Sequence, residues 1–110
     1  MIAKVDIAAG ICGFRTAGTA SADDSQNVSF AITSDCEKIQ NLATKLAQGG
    51  PLDAYQEISP ASPSVLMQTV RENLCGCCAG CAVPAGLFKA MQVAAGLALP
   101  KDITIKLTQE

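Results

Sequence analysis

Six cysteines are the residues of this chain with the clearest capacity for chemistry. They are Cys12, Cys36, Cys75, Cys77, Cys78 and Cys81, so that four of them fall within the run CGCCAGC. A deprotonated thiol is both a soft metal ligand and a nucleophile. The cysteines therefore predict either metal binding or thiol redox chemistry.

Cys-x-x-Cys spacing occurs twice in this run, once between Cys75 and Cys78 and once between Cys78 and Cys81. Such a pair can bind tetrahedral zinc or iron, and sulfur ligands select these metals over magnesium or calcium. The ferredoxin run C-x2-C-x2-C-x3-C is absent. The spacing favours a thiolate site without identifying its metal.

Composition excludes several other functions. The chain has no histidine, and therefore no Ser-His-Asp triad, no Cys-His dyad and no imidazole metal ligand. Its net charge of -2 offers no electrostatic basis for binding nucleic acid. The carboxylates form no recognisable acid–base constellation, so we expect a protein that is not an enzyme.

Targeting and membrane segments are not apparent in the sequence. Lys4 and Asp6 interrupt the apolar N-terminus, and Lys89 with several Gly and Pro residues interrupts the long apolar stretch 74–100. We therefore expect no signal peptide, no membrane-spanning helix and a cytoplasmic location. In that compartment cysteines serve metal or redox chemistry more often than disulfides.

The first third of the chain predicts three strands, at residues 2–9, 14–22 and 28–34. Ser34 and Glu37 then fit a capping box, with Ser34 as the N-cap and Cys36 at the second helical position. The predicted helix then carries apolar residues at helical spacing, namely Ile39, Leu42, Ala43 and Leu46. Gly49-Gly50-Pro51 ends it.

Further helices and one last strand are predicted after Pro51. Residues 52–58 indicate a short helical turn, and residues 62–74 indicate a helix. The cysteine-rich loop 75–83 leads into an apolar helix from Pro84 to about residue 98, ended by Pro100. Residues 102–108 alternate between apolar and polar, which predicts a half-buried strand. Residues 1–110 are thus expected to form a single α+β domain, with a three-stranded antiparallel sheet, two to three helices on one face and a C-terminal strand.

The predicted elements place Cys36, Cys78 and Cys81 near helix N-termini. Backbone N–H groups and the helix dipole favour a thiolate there.

Three short motifs resemble the IscU/NifU-type iron–sulfur cluster scaffold domain. GICG at 10–13 resembles the first cysteine motif of that family. Cys36 followed by KLAQGGPLD at 45–53 resembles the second, and Cys81 followed by AGLFKA at 85–90 resembles the third. The resemblance implies an α+β fold with a three-stranded antiparallel sheet, a cluster shared by these three cysteines and a protein partner for cluster or sulfur transfer. The stretch 36–81 is also similar to the smaller TSCPD-type cysteine domain.

The chain departs from the scaffold family at defined positions. Phe14 stands where the family has aspartate, and Gly80 stands where it has histidine. The family's N-terminal helix is missing. The additional thiols of Cys75, Cys77 and Cys78 could substitute as ligands or make the site permanent.

Three functions remain open on the sequence. The first is a metal- or cluster-binding protein, a scaffold or carrier, with an iron–sulfur cluster or zinc held by Cys12, Cys36, Cys78 and Cys81. Cys75 and Cys77 are then further ligands or redox thiols. The second is a thiol–disulfide redox protein using Cys78 and Cys81. The third is a structural or interaction module stabilised by zinc.

Overall fold

The computed structural model describes residues 1–110 and consists of one antiparallel sheet and four α-helices. The strands are β1 (Ile2–Ala8), β2 (Arg15–Ser21), β3 (Asn27–Ser34) and β4 (Leu52–Asp53), in the spatial order β1-β2-β3-β4. The helices are α1 (Glu37–Gln48), α2 (Ala54–Glu57), α3 (Val65–Asn73) and α4 (Val83–Ala94), with a 3-10 helix at Gly76–Gly80 before α4. The predicted α+β class with an antiparallel sheet is confirmed.

Tight turns connect the first three strands. Gly10 and Gly13 both have positive φ in the β1–β2 turn, and the Gly13 N–H donates to the Gly10 carbonyl at 2.9 Å. In the β2–β3 turn the Asp24 carboxylate accepts the backbone N–H groups of Gln26 and Asn27. The side-chain amide of Asn27 also donates to this carboxylate, and these hydrogen bonds lower the pKa of Asp24 to about 2.

The helices pack on one face of the sheet. α4 lies against β1 and β2, α1 lies against β3, and α3 contacts both helices. The approach of α4 to β1 is close, because a Cβ atom added at Gly86 would lie 2.5 Å from Ile7 Cδ1. The largest fully buried side chains lie in this layer: Val28, Ile39, Leu42, Leu66, Val83, Leu87 and Met91.

The start of α1 differs from the predicted capping box. Ser34 remains in β3, where its hydroxyl hydrogen-bonds Thr16 Oγ1 at 2.8 Å. The helix begins at Glu37 with Cys36 as its N-cap, so Ser34 and Glu37 do not cap each other. The prediction was wrong because Cys36, expected inside the helix, is itself extended with φ -92° and ψ 123°, so the helix begins after it.

A buried carboxylate stabilises the start of α3. Glu57 is only 5% exposed and accepts hydrogen bonds from the backbone N–H groups of Val65 and Leu66 and from the Ser64 hydroxyl. The Ser64 hydroxyl in turn accepts the Met67 N–H. α2 thus caps the N-terminus of α3. The short turn predicted at 52–58 is present as α2, and β4 just before it was not predicted.

α4 ends earlier than its sequence pattern predicts. Its last residue is Ala94, because Gly96 adopts a φ of +76° and reverses the chain. Gly76–Ala94, counted with the 3-10 helix, has the length and apolar composition of a membrane span. Within it, most of the α4 residues are buried against the rest of the protein: Val83, Pro84, Gly86, Leu87, Ala90, Met91 and Ala94.

The C-terminal strand predicted at residues 102–108 does not form. Residues 101–110 have no regular secondary structure, and every one of them is exposed. No backbone hydrogen bond involves residues 98–110. A half-buried strand needs both a neighbouring strand and an apolar surface to cover, and within one chain this tail has no neighbouring strand.

Candidate thiolate site

One end of the molecule carries all the segments that contain cysteine. Hydrogen bonds between Arg15 and Asp35 join the start of β2 to the β3–α1 junction, at 3.2 and 3.3 Å. The contact of Gly86 with Ile7 puts the first turn of α4 beside the end of β1. The β1–β2 turn with Cys12, the N-terminus of α1 and the segment before α4 therefore meet at this end.

Four cysteines lie in or beside the 3-10 helix Gly76–Gly80. The Cys78 N–H donates to the Cys75 carbonyl at 3.2 Å, and the Cys81 N–H donates to the Cys78 carbonyl at 3.1 Å. Gly76 has a φ of +62°, which lets the chain turn sharply after Cys75. The short helix thus gathers thiols at successive turns. Cys78 and Cys81 are half-buried, whereas Cys75 and Cys77 are exposed.

Cys36 is the N-cap residue of α1 and is half-buried against the core. Its backbone N–H donates to Ser34 Oγ at 3.1 Å, which fixes the chain direction at the junction. Its side chain makes no capping hydrogen bond. The thiol is therefore free to serve as a ligand or as a nucleophile.

Lys38 connects the two cysteine segments. Its Nζ atom donates to Cys78 Sγ at 3.4 Å, across 40 residues of sequence. This hydrogen bond and the negative charge of the Cys78 sulfur raise the pKa of Lys38, while desolvation lowers it. The charges of Cys75 and Cys36 contribute further to the rise. The Lys38 ammonium thus contacts one thiol directly and lies within electrostatic range of two more.

Cys81 lines a groove of about 630 Å³ between α3 and α4, whose apolar lining includes Val70 and Phe88. Cys12 is exposed in the β1–β2 turn. The structure brings Cys78 into contact with Lys38, and it assembles no group of three or more cysteine or carboxylate side chains positioned to hold a metal ion.

Lys38 is the site residue that the sequence analysis missed. It lies in the first turn of α1, where the helix dipole favours acidic rather than basic side chains. A lysine there, two residues after a cysteine, is the signal that could have identified it. Its partner Cys78 could not have been inferred from spacing, because the contact depends on how α1 packs beside the 3-10 helix.

Comparison with protein families finds one match for this sequence. Residues 3–107 match a family of unknown function, DUF6951. The chain belongs to this family. The DUF6951 match includes every cysteine and extends through the exposed tail to residue 107. No curated protein and no solved structure matches the chain.

Proposed function

We propose that this DUF6951 domain binds a thiolate-ligated metal centre, either zinc or an iron–sulfur cluster. The observation that supports this proposal is the contact of Lys38 Nζ with Cys78 Sγ, with the sulfurs of Cys36 and Cys75 close enough to raise the pKa of Lys38. Thiolates that lie close together repel one another. A metal cation and the ammonium group would both offset that repulsion.

The donor set fits such a centre chemically. Every candidate ligand is a cysteine, and thiolates select zinc, copper(I) and iron–sulfur clusters among the biological metals. An N–H···S hydrogen bond from Lys38 is the kind of contact that tunes the potential of a cluster. When bound, zinc would supply folding stability, whereas a cluster would supply electron transfer or transferable iron and sulfur.

Four cysteines form the proposed ligand set. Cys36, Cys78 and Cys81 lie half-buried against the core. Cys12 lies in an exposed turn at the same end of the molecule and would complete the set. Cys75 is the alternative fourth ligand, because its charge already acts on Lys38.

More specifically, the proposed metal centre would serve a scaffold or carrier role. This role is supported by the resemblance of the three cysteine motifs to the IscU/NifU-type domain and by the exposure of Lys38, Cys12 and Cys75. A centre at such a surface could pass a cluster or sulfur directly to a protein partner. A zinc-stabilised interaction module would use the same ligands.

The first experiment is an absorption spectrum with iron, zinc and sulfide analysis on protein purified without oxygen. Iron with acid-labile sulfide would identify a cluster, and about one zinc per chain would identify a closed zinc site. Protein that neither retains these metals nor takes them up on reconstitution would contradict the proposal.

Cysteine variants then test the shared site. We expect Cys36→Ala and Cys81→Ala each to abolish metal retention, because a three-ligand remnant binds far more weakly. Cys77→Ala is the matched control, since Cys77 is in the same exposed segment but does not contribute to the pKa shift of Lys38. Full retention by Cys36→Ala would exclude the shared site and favour ligands from residues 75–81 alone.

Thiol–disulfide exchange is the second candidate function, favoured by the ammonium of Lys38 beside Cys78. The Cys78 thiolate would attack a partner disulfide and release one partner thiolate. Cys81, one 3-10 turn away, would then displace the second, so that the partner is reduced by two electrons and a Cys78–Cys81 disulfide forms. A metal-free protein whose thiol count changes by two on mild reduction would support this alternative.

A further inference from the structure

β1 forms an open edge of the sheet along its whole length, because it pairs with β2 alone. Met1 and Ala22 exchange hydrogen bonds in both directions, which makes them a hydrogen-bonded pair of the β1–β2 ladder. Antiparallel ladders alternate between bonded and non-bonded pairs. The unpaired backbone groups at the open edge therefore belong to alternate residues of β1: Ile2, Lys4, Asp6 and Ala8.

Apolar surface lies next to this edge on the helix side of the sheet. Val5 and Ile7 face α4, where both lie beside Gly86. Both side chains remain only half-buried, because no strand lies beyond β1. The edge therefore offers hydrogen bonds and an apolar strip that a further strand would cover.

The C-terminal tail has the matching pattern. Ile103, Ile105 and Leu107 alternate with polar residues and are 54%, 65% and 91% exposed. Residues 102–108 equal β1 in length and make no backbone hydrogen bond. Their alternation is that of a strand with one buried face.

We propose that residues 102–108 of one copy pair with the β1 edge of a second copy, so that two copies exchange tails in a homodimer. The tail does not reach its own β1 edge. Ile103 lines the groove beside Met67 and Phe88, on the face of α4 that points away from the sheet. Reciprocal exchange of an identical segment is a common route to dimers.

In an antiparallel pairing, charge and side-chain pattern favour one register. With Lys106 opposite Asp6, Ile105 faces Ile7 and Leu107 faces Val5, so the apolar residues meet on the helix side. A shift by two residues would place Lys106 opposite Lys4, and like charges directly opposite are unfavourable. The match of the DUF6951 family through residue 107 is consistent with a tail that belongs to the folded unit.

Sedimentation equilibrium on the full chain and two variants tests this proposal. We expect the wild type to dimerise and Ile105→Asp to raise the dimer Kd by at least about tenfold, since a carboxylate would enter the buried face. Thr104→Asp adds the same charge on the solvent-facing side and should leave the Kd within about threefold. Because residues 101–110 are exposed, both variants should fold, which cooperative thermal unfolding verifies.

A monomeric wild type at every concentration would overturn the proposal, as would a dimer that Ile105→Asp does not weaken. Hydrogen exchange distinguishes a tail that pairs with a second copy from a tail that pairs with β1 of its own chain. Protection of the residue 102–108 amides that increases with protein concentration supports exchange between copies. Protection in a monomer would mean that the tail pairs with its own β1, which also contradicts the second-copy proposal.

Discussion

Lys38 is a charged residue that contacts Cys78, one of the proposed metal ligands. Its ammonium joins α1 to the 3-10 helix through Cys78. Because the folded-state pKa of Lys38 lies above 10.5, the stabilisation that the contact provides is fully present below that pH. It is lost only as pH rises through the raised pKa. At neutral pH the Lys38 side chain is therefore an ammonium group that can donate to the Cys78 sulfur.

Replacement of Lys38 tests its effect on the neighbouring sulfur. We expect Lys38→Met to slow alkylation of Cys78 at neutral pH by about two- to fivefold, because it removes the ammonium group that donates to the Cys78 sulfur, and exposed ion pairs are weak. Mass spectrometry after timed reaction with iodoacetamide measures this rate. Lys45→Met removes the same charge from the other end of α1, and equal rates in the two variants would contradict the assignment.

At the residue level, the sequence pointed to the cysteines but not to Lys38, which contacts Cys78. The spacing identified Cys36, Cys78 and Cys81 as residues near helix starts, and the structure puts Cys36 at the N-cap of α1 and Cys81 just before α4. Glu57 was missed because a carboxylate in a short helical turn gives no pattern. Its burial arises from the packing of α2 on α3, which a linear sequence does not display.

At the scale of elements, Glu57 makes the start of α3 dependent on α2. We expect Glu57→Ala to lower the free energy of unfolding by about 2–3 kcal/mol, because N–H groups of Val65 and Leu66 lose their acceptor and the latter is buried. Urea denaturation measures the change. Glu72→Ala, an exposed carboxylate on α3, should change the stability by less than about 0.5 kcal/mol. An equal loss in both variants would contradict the capping role.

The first three strands were predicted well, whereas the end of α4 and the C-terminal strand were not. The strands at 2–9, 14–22 and 28–34 correspond to β1, β2 and β3 with small shifts, because glycine and aspartate turns bound them. The end of α4 was misplaced because the reversal at Gly96 precedes Pro100. The tail has the alternation of a strand, but alternation alone does not supply the neighbouring strand that it needs.

For the whole molecule, the position of the thiolate site at one end predicts how metal binding changes its motions. Amides of β2 and α4 should exchange slowest, and those of residues 75–81 should exchange quickly in the metal-free protein. Added zinc under reducing conditions should slow exchange in residues 75–81 at least about tenfold, since bound metal resists local opening. The β2–β3 turn at residues 23–27 is the internal control. Unchanged exchange in residues 75–81 would contradict a zinc site there.

The inner face of β2 has a consequence for the entropy of folding. Its buried positions are Thr16, Gly18 and Ala20, followed by Ala22, and all of these are small residues. Glycine and alanine lose almost no rotamer freedom when they are buried, whereas larger side chains lose about 0.5–2 kcal/mol each. The central strand therefore becomes ordered at little side-chain cost. The same small residues let Leu87 of α4 approach the backbone, so a core without tryptophan can still exclude water.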